Sequence, residues 1–153
     1  MAELATIGWS EYVDLPDWGI TRLKAKTDTG ARTSALHVED LKALPDGRIQ
    51  FHVVHGSRRS PKTSPIIAQP VKWGRVRSSN GHYVERWFVR TTLQIGPILK
   101  EIEISLVSRE KMLFRMLIGR KALERTFLVD PSKRSILTKR LPKKRPKNSK
   151  PQS

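Results

Sequence analysis

Short stretches in which apolar and polar residues alternate make up most of the chain, and Pro, Gly and Asn separate them. Between residues 20 and 27, small or apolar side chains at positions 23, 25 and 27 alternate with cations at 22, 24 and 26. Ile49, Phe51 and Val53 repeat this period of two. Side chains two positions apart lie on the same face of a strand, so the pattern predicts half-buried β-strands.

The same reasoning divides the chain into short strands and tight turns. A helix of one or two turns is predicted for residues 120–125, and a loop for residues 56–70, which are polar and contain three prolines. Residues 36–44 are ambiguous, and we interpret them as a strand at 37–38 and a helical turn at 39–44. Short strands without long helices predict an all-β barrel or sandwich. The predicted strands are residues 7–13, 20–27, 48–55, 71–76, 82–95, 98–107, 113–118 and 127–129.

Charge is the strongest signal in the composition. The 153 residues include 30 Lys and Arg against 14 Asp and Glu, a formal net charge of +16. Residues 137–153 hold seven of these cations, three prolines and no acid, which predicts a disordered basic tail. The body, residues 1–136, is predicted to be one domain and is itself basic. We expect a polyanionic partner, such as nucleic acid, a ribosome or an acidic peptide. The tail is either a docking arm for that partner or a solubilising extension.

Other classes of function find no support in the sequence. The absence of Cys rules out a disulfide framework, a thiolate zinc site and a cysteine nucleophile. The four histidines lack metal-site spacing and no phosphate-binding Gly-rich loop occurs, so no metal and no cofactor are expected. No apolar run approaches the roughly 20 residues of a membrane helix. With no signal-peptide pattern at the N-terminus, we expect a cytoplasmic protein without membrane contact.

Candidate chemistry concentrates at Asp28-Thr29-Gly30, where a predicted strand ends. Asp28 supplies a carboxylate, Thr29 a hydroxyl that can donate and accept, and Gly30 permits a tight turn. The triplet alone is also typical of an ordinary turn. It continues, however, as Ala31-Arg32-Thr33-Ser34-Ala35-Leu36, and the later segment Met116-Leu117-Ile118-Gly119-Arg120 leads two apolar residues into a Gly before the predicted helix.

Together these segments resemble the retropepsin-like aspartic proteases, in which an Asp-(Thr/Ser)-Gly-Ala loop is crossed by a strand that ends in apolar-apolar-Gly-Arg. The closer resemblance is to a small bacterial and archaeal branch, often labelled ATP-dependent zinc proteases and encoded near enzymes that add glutamate to a ribosomal protein. It covers about residues 7–136, with further matches at Ile7-Gly8-Trp9, residues 76–81 and residues 90–93. The resemblance implies an all-β, retropepsin-like acid-protease β-barrel with one short C-terminal helix, in a homodimer.

Two carboxylates that share one proton are needed for aspartic proteolysis. Asp28 is the one aspartate of six in an Asp-Thr-Gly context, so a symmetric homodimer would supply the second carboxylate. The resemblance implies that Asp28, Thr29 and Gly30 form the catalytic loop, with each Thr29 bonding the loop of the other chain. It also implies a flap over the substrate. Residues 73–90, with a tip at Ser79, Asn80 and Gly81, are the candidate, and an ordinary exposed hairpin is the alternative.

One position departs from the viral members of this superfamily. Where they carry an acidic residue, this chain has Arg32, and the residue that would pair with it is Arg120. Two neighbouring guanidiniums would favour an anion between them. Ala31, Arg32 and Arg120 are therefore predicted to bind the substrate, a peptide or protein with acidic side chains such as a glutamate-rich tail. In the alternative, the two arginines point apart or a carboxylate of Glu124, Asp40 or Asp130 neutralises them.

The sequence therefore predicts an aspartic endopeptidase that hydrolyses peptide bonds with a water activated between two Asp28 carboxylates. A different class of function also fits the charge. In that alternative, the chain is a non-catalytic basic β-barrel that binds RNA or the ribosome, or that regulates a glutamate ligase.

Overall fold

The computed structural model describes residues 3–77, 80–108 and 113–138. These residues form strands, one 3-10 turn at Pro16–Trp18 and one short α-helix, α1, at Arg120–Leu123. A mostly β chain with one short helix is confirmed. The strands are β1 (Ala5–Gly8), β2 (Ser10–Leu15), β3 (Ile20–Thr27), β4 (Ser34–Ala43), β5 (Ile49–Gly56), β6 (Pro61–Ala68), β7 (Lys72–Arg77), β8 (Tyr83–Ile95), β9 (Ile98–Val107), β10 (Met116–Ile118) and β11 (Phe127–Asp130).

One sheet contains most of these strands, in the order β10-β3-β2-β8-β9-β4-β5-β6, with β7 added to β8. The short strand β10 pairs in parallel with β3 and antiparallel with β4. It therefore lies between the strand that precedes residues 28–33 and the strand that follows them. Separately, β1 and β11 pair in parallel.

The alternation in the sequence places the core where it was expected. Leu23 and Ala25 of β3 are buried, and the neighbouring cations at positions 22, 24 and 26 are exposed. Burial of such apolar side chains is the main source of stability for a sheet of this kind. The largest fully buried side chains come from strands along the whole domain and include Phe51, Ile7, Leu15, Leu36, Leu93, Ile104 and Met116.

The loop predicted for residues 56–70 is wrong, because Pro61–Ala68 form strand β6. This strand pairs antiparallel with β5 over its whole length and stands at the end of the strand order. A proline has no N–H to donate, which excludes it from a central strand but not from an edge strand. Pro61 and Pro65 are therefore compatible with β6.

The helical turn predicted for residues 39–44 is also wrong. Residues 39–43 continue β4, which pairs with β5 through a register shift between Glu39 and Lys42. Asp40 lies inside this irregularity with φ of 53°. A β-bulge interrupts the alternation of side chains between the two faces, and this removed the period-2 signal from the sequence. Elsewhere the predicted elements shorten: β10 takes up three residues of 113–118, and α1 four of 120–125.

Residues 7–13, predicted as one strand, form two strands on either side of Trp9. The N–H of Trp9 donates to the Lys133 carbonyl at 2.8 Å. A Cβ on Gly8 would lie 2.5 Å from that carbonyl oxygen and from the Cα of Arg134. The C-terminal segment therefore crosses the chain at Gly8, where any side chain would block its approach.

Glu11, in β2, is fully buried and binds the C-terminal segment through its carboxylate. Its Oε2 accepts the N–H groups of Gly8 and Ile136, both at 2.7 Å. Its Oε1 accepts the N–H and hydroxyl of Thr138 at 2.8 and 2.6 Å. A buried carboxylate requires such donors in place of water. We call Glu11 and residues 136–138 the Glu11 clasp. The clasp holds Leu137 and Thr138 against the body, although the composition predicts a disordered tail from residue 137 onward.

A two-stranded arm extends from the sheet. Within the described residues, positions 83–87 of β8 pair with β7 alone, whereas β8 from Phe88 onward pairs with β9. Trp73 and Trp87 pack edge to face with ring centroids 4.9 Å apart, and Trp73 Nε1 donates to Glu85 at 3.0 Å. The hairpin expected at residues 73–90 is thus present, and its role as a flap stays a prediction.

Candidate active site

Residues 28–33 form a loop that is bonded to the junction of β10 and α1. The N–H of Asp28 donates to the Ile118 carbonyl at 2.8 Å. In return, the N–H groups of Arg120 and Lys121 donate to the carbonyls of Ala31 and Arg32, at 2.8 and 3.0 Å. Both ends of the loop are therefore fixed by one segment from far along the chain.

Gly119 explains why the loop can lie so close to that segment. A Cβ at this position would be 2.5 Å from the Thr33 carbonyl carbon and 2.6 Å from its oxygen, distances that no side chain tolerates. The N–H of Gly119 also donates to the buried hydroxyl of Ser34 at 3.1 Å. The Gly between the apolar pair and the helix is thus a requirement of the packing.

Asp28 is half-buried at the end of β3, in a position that solvent can reach. Its Oδ1 accepts the N–H of Gly30 at 3.1 Å. Within the described part of the chain, no ion pair involves this carboxylate, and its second oxygen has no hydrogen bond. One oxygen is therefore oriented by the turn, and the other is available for a partner, a water molecule or a substrate.

The remaining residues of the predicted catalytic loop lie beside Asp28. Thr29 and Gly30 are exposed, and the Thr29 carbonyl accepts Nη1 of Arg120 at 3.1 Å. The Arg120 side chain thus braces the loop. No carboxylate among the described residues forms an ion pair with Arg32 or Arg120.

The short helix that carries Arg120 is anchored at its C-terminal end by β9. Lys100 Nζ donates to the carbonyls of Lys121, Ala122 and Glu124 at 3.3, 3.0 and 2.9 Å. A cation at the end of a helix satisfies carbonyls that lack a partner within the helix. Burial lowers the pKa of Lys100, an effect that nearby Glu124 partly opposes.

Arg32 lines a cavity of about 500 Å³ that lies between the loop, α1, β9 and the base of the arm. We call it the loop cavity. Phe88 and Ile102 supply apolar wall, and two acids bind some of the cations: Arg90 pairs with Glu101 and Glu103, each at 3.4 Å. Arg32, Arg75 and Lys121 have no such carboxylate partner among the described residues. The charged residues that line the cavity are Arg32, Lys72, Arg75, Arg90, Lys121, Glu101 and Glu103.

Sequence reasoning found only Arg32 of this charged set. The other cations come from β7, β8 and α1, which are far apart in the sequence and meet only in the folded sheet. Ser79, at the predicted flap tip, lies outside the described residues. Asn80 and Gly81 lie in the turn of the arm and do not line the loop cavity.

The described residues contain neither a candidate metal site nor a helix that could cross a membrane. In residues 3–77, 80–108 and 113–138, no three His, Cys, Asp or Glu side chains are grouped so that they could hold a metal ion. No helix within those ranges has the length and apolar character needed to cross a membrane.

Comparison with known proteins places this loop in a family. The chain is 33% identical over 135 residues to a probable alpha-L-glutamate ligase of Shewanella pealeana, which matches 82% of this chain and 28% of the relative. A probable alpha-L-glutamate ligase of Desulfotalea psychrophila is 34% identical over 130 residues, with the same coverage. The chain thus spans little more than a quarter of the length of these curated relatives.

The fold also has a counterpart of known structure. Lpg0085, a protein of unknown function from Legionella pneumophila, matches with a TM-score of 0.69 at 24% identity, over 88% of this chain and 99% of that one. The family model described as retropepsin-like aspartic endopeptidase RimB matches residues 6–140. These residues contain the whole Asp28 loop and the β10–α1 segment that holds it. The chain belongs to the RimB-like family of retropepsin-like aspartic endopeptidases.

Proposed function

We propose that this protein is an aspartic endopeptidase whose active site contains Asp28 from each of two chains. The observation that carries the proposal is the Asp28 carboxylate, which is oriented by Gly30 and left accessible. In a protein interior, a carboxylate is normally satisfied by several donors. An accessible carboxylate on a braced loop, in a chain of this family, is suited to acid–base chemistry.

The reaction follows from two such carboxylates at hydrogen-bond distance. Because like charges so close cannot both be ionised, the pair shares one proton. The ionised carboxylate removes a proton from water, whose oxygen attacks the peptide carbonyl carbon, while the protonated carboxyl donates its proton to the carbonyl oxygen. The tetrahedral intermediate collapses with cleavage of the C–N bond and transfer of a proton to the leaving nitrogen.

A homodimer would supply the second carboxylate. In this arrangement the two-fold axis passes between the Asp28 loops, and Thr29 of each chain bonds the loop of the other. The exposure of Thr29 and Gly30 supports it, since both must be available at such an interface. The pairing of β10 with both β3 and β4 supports the acid-protease barrel around this site.

We infer that the substrate is a peptide with acidic side chains, bound in the loop cavity. Its cations Arg32, Arg75 and Lys121, which form no ion pair among the described residues, suit carboxylates of the substrate. The arm would cover the peptide as a flap. Arg32→Ala should reduce kcat/KM on a glutamate-rich peptide about tenfold or more and leave a neutral peptide nearly unchanged. An equal loss on both peptides would contradict the preference for acidic peptides but not the proposal that the protein is an endopeptidase.

The proposal is tested by incubating the wild type and Asp28→Asn with a diverse peptide library, including peptides with oligoglutamate tails, from acidic to neutral pH. New termini detected by mass spectrometry should appear with the wild type and be absent with Asp28→Asn. Circular dichroism of the variant should match the wild type. Cleavage that survives in Asp28→Asn would refute the proposal.

A second candidate function rests on the names of the relatives. The matched part of those probable alpha-L-glutamate ligases lies in one chain with the rest of the protein. This chain would then bind a separate glutamate ligase and regulate it, with or without proteolysis. Co-purification with such a ligase, together with a change in its rate that Asp28→Asn preserves, would favour this function over proteolysis.

A further inference from the structure

A second cavity of about 800 Å³ lies apart from the Asp28 loop and shares no lining residue with the loop cavity. We call it the outer cavity. Its walls come from β2, the first half of β3, the β5–β6 turn, residues 113–115 and Arg134. Its volume lies within the range of about 300–1,000 Å³ that is typical of sites for small ligands.

The charged side chains that line the outer cavity are all basic within the described part of the chain. These six cations are Arg22, Lys24, Arg58, Lys62, Arg115 and Arg134. None of the six forms an ion pair within the described residues. In the loop cavity, by contrast, Glu101 and Glu103 neutralise part of the charge. Six cations that have no carboxylate partner among the described residues attract a polyanion.

Aromatic rings are placed among these cations. Trp9 and Tyr12 are half-buried and line the cavity, so part of each ring is accessible. The Arg22 guanidinium lies 4.4 Å from the centre of the Tyr12 ring, and Trp9 packs edge to face on Phe114 at 5.9 Å. Flat rings and guanidinium planes beside positive charge form the platform on which proteins stack nucleobases.

The backbone at Arg22 departs from ordinary strand geometry, and this departure directs the Arg22 side chain over the Tyr12 ring. Arg22 has φ of 52°, a region that non-glycine residues rarely occupy. Its N–H donates to Asp14 Oδ1 at 2.8 Å, next to the register shift between Val13 and Leu15. Such an irregularity redirects a side chain, and here the redirected side chain is the one over Tyr12.

We propose that the outer cavity binds single-stranded RNA, with the cations on the phosphates and one or two bases against Trp9, Tyr12 and Arg22. RNA fits this site better than an acidic peptide, because a base has a flat face to place on the rings and glutamate has none. The site is independent of Asp28, so RNA binding and peptide cleavage can reside in the same chain.

The test compares two charge-matched double variants of the full chain. Arg58→Ala with Lys62→Ala removes two exposed cations at the outer cavity, one from the β5–β6 turn and one from the start of β6. Arg75→Ala with Lys121→Ala removes two from the loop cavity and serves as the control. Because both retain residues 139–153, any binding by that segment is the same in each. Affinity is measured by fluorescence anisotropy with a labelled octa-adenylate and with an oligoglutamate peptide of equal charge.

The outer pair should weaken octa-adenylate binding by roughly ten- to thirtyfold at 0.1 M salt and lower the salt slope by about 0.7 for each cation lost. The control pair should change neither the octa-adenylate affinity nor its salt slope, whereas it should weaken oligoglutamate binding at the loop cavity. Ultraviolet cross-linking should place the RNA on peptides that contain Trp9, Tyr12 or Phe114. Equal losses in both pairs, cross-links confined to other peptides, or oligoglutamate binding in place of RNA with the same dependence on Arg58 and Lys62 would each overturn the proposal.

Discussion

Glu11 and Asp28 are both carboxylates at the ends of the same pair of strands, yet their surroundings are opposite. Glu11 is completely buried and accepts hydrogen bonds from Gly8, Ile136, Leu137 and Thr138. Asp28 is accessible and accepts one, from Gly30. The difference separates a carboxylate that joins distant segments from one that is available for chemistry.

Charge alone therefore does not distinguish a structural carboxylate from an available one in this fold. The Glu11 carboxylate accepts backbone N–H groups and the Thr138 hydroxyl, and its complete burial keeps ligands from reaching it. The loop around Asp28 directs its own hydrogen bonds to the β10–α1 segment and leaves the carboxylate with capacity to accept. Glu11 and Asp28 differ in how many hydrogen bonds each carboxylate already accepts.

The largest expected effect is on Glu11. Glu11→Gln replaces one acceptor oxygen by an NH₂ group that faces N–H donors, so buried donors lose their partner. The free energy of unfolding should fall by about 3 kcal/mol or more. Urea denaturation measures it. A loss under about 1 kcal/mol would show that the Glu11 clasp contributes little to stability, and Glu11 would then not differ from Asp28 in its structural role.

Gly119→Ala tests whether the loop needs its close contact with β10. The new methyl group would meet the Thr33 carbonyl at about the distances given above, and the loop would have to move. We expect a loss of about 2–3 kcal/mol in stability and a large loss of peptide cleavage. Thermal unfolding and a cleavage assay check the two effects. Unchanged cleavage would mean that the position of the loop does not control Asp28.

Asp130 provides an intermediate case, since it is half-buried like Asp28 but one of its carboxylate oxygens accepts two hydrogen bonds. The Ser132 hydroxyl and N–H, at 2.6 and 2.9 Å, hold the pKa of Asp130 below its ordinary value of 3.8. This carboxylate therefore contributes stability above pH 3.8 that is lost as the pH falls through its folded pKa. Ser132→Ala removes the larger of the two causes, so the pKa should rise toward 3.8. An NMR titration of the Asp130 carboxyl that shows no rise would contradict this.

The smallest expected effect is that of Asp28→Asn on stability. This change is the same carboxylate-to-amide exchange as Glu11→Gln, but at a carboxylate with one hydrogen bond and no ion pair among the described residues. The free energy of unfolding should change by less than about 0.5 kcal/mol. The same urea denaturation serves both variants. A loss equal to that of Glu11→Gln would show that Asp28 is structural.

The position of the Asp28 loop could be predicted from the sequence because its signals are local, and its catalytic role stays a prediction. Asp28-Thr29-Gly30 follows a clear period-2 strand, and Gly119 follows an apolar pair, so each half of the site can be recognised from a few neighbouring residues. The Glu11 clasp could not be predicted in this way. Its hydrogen bonds join residues 125 or more apart, and an isolated Glu in a strand normally faces solvent.

Two errors in the predicted fold have a common physical origin. Prolines in β6 and the bulge in β4 remove the local sequence pattern of a strand. Both segments nevertheless form strands because each of them pairs with β5. The outer cavity was missed for a related reason. Its cations alternate along β3 like those of any solvated face, and only the β5–β6 turn and residues 113–115 convert that face into a cavity.

The central claim, that the active site takes one Asp28 from each of two chains, is tested most directly by mixing. A fixed amount of wild type is equilibrated with increasing Asp28→Asn, and cleavage of a peptide identified in the library is followed. If pairing is random, activity should fall to about half at an equal ratio and to about one tenth at a ninefold excess, because mixed dimers hold one Asp28. Activity that stays constant as the variant is added would show that one chain suffices and would contradict the account.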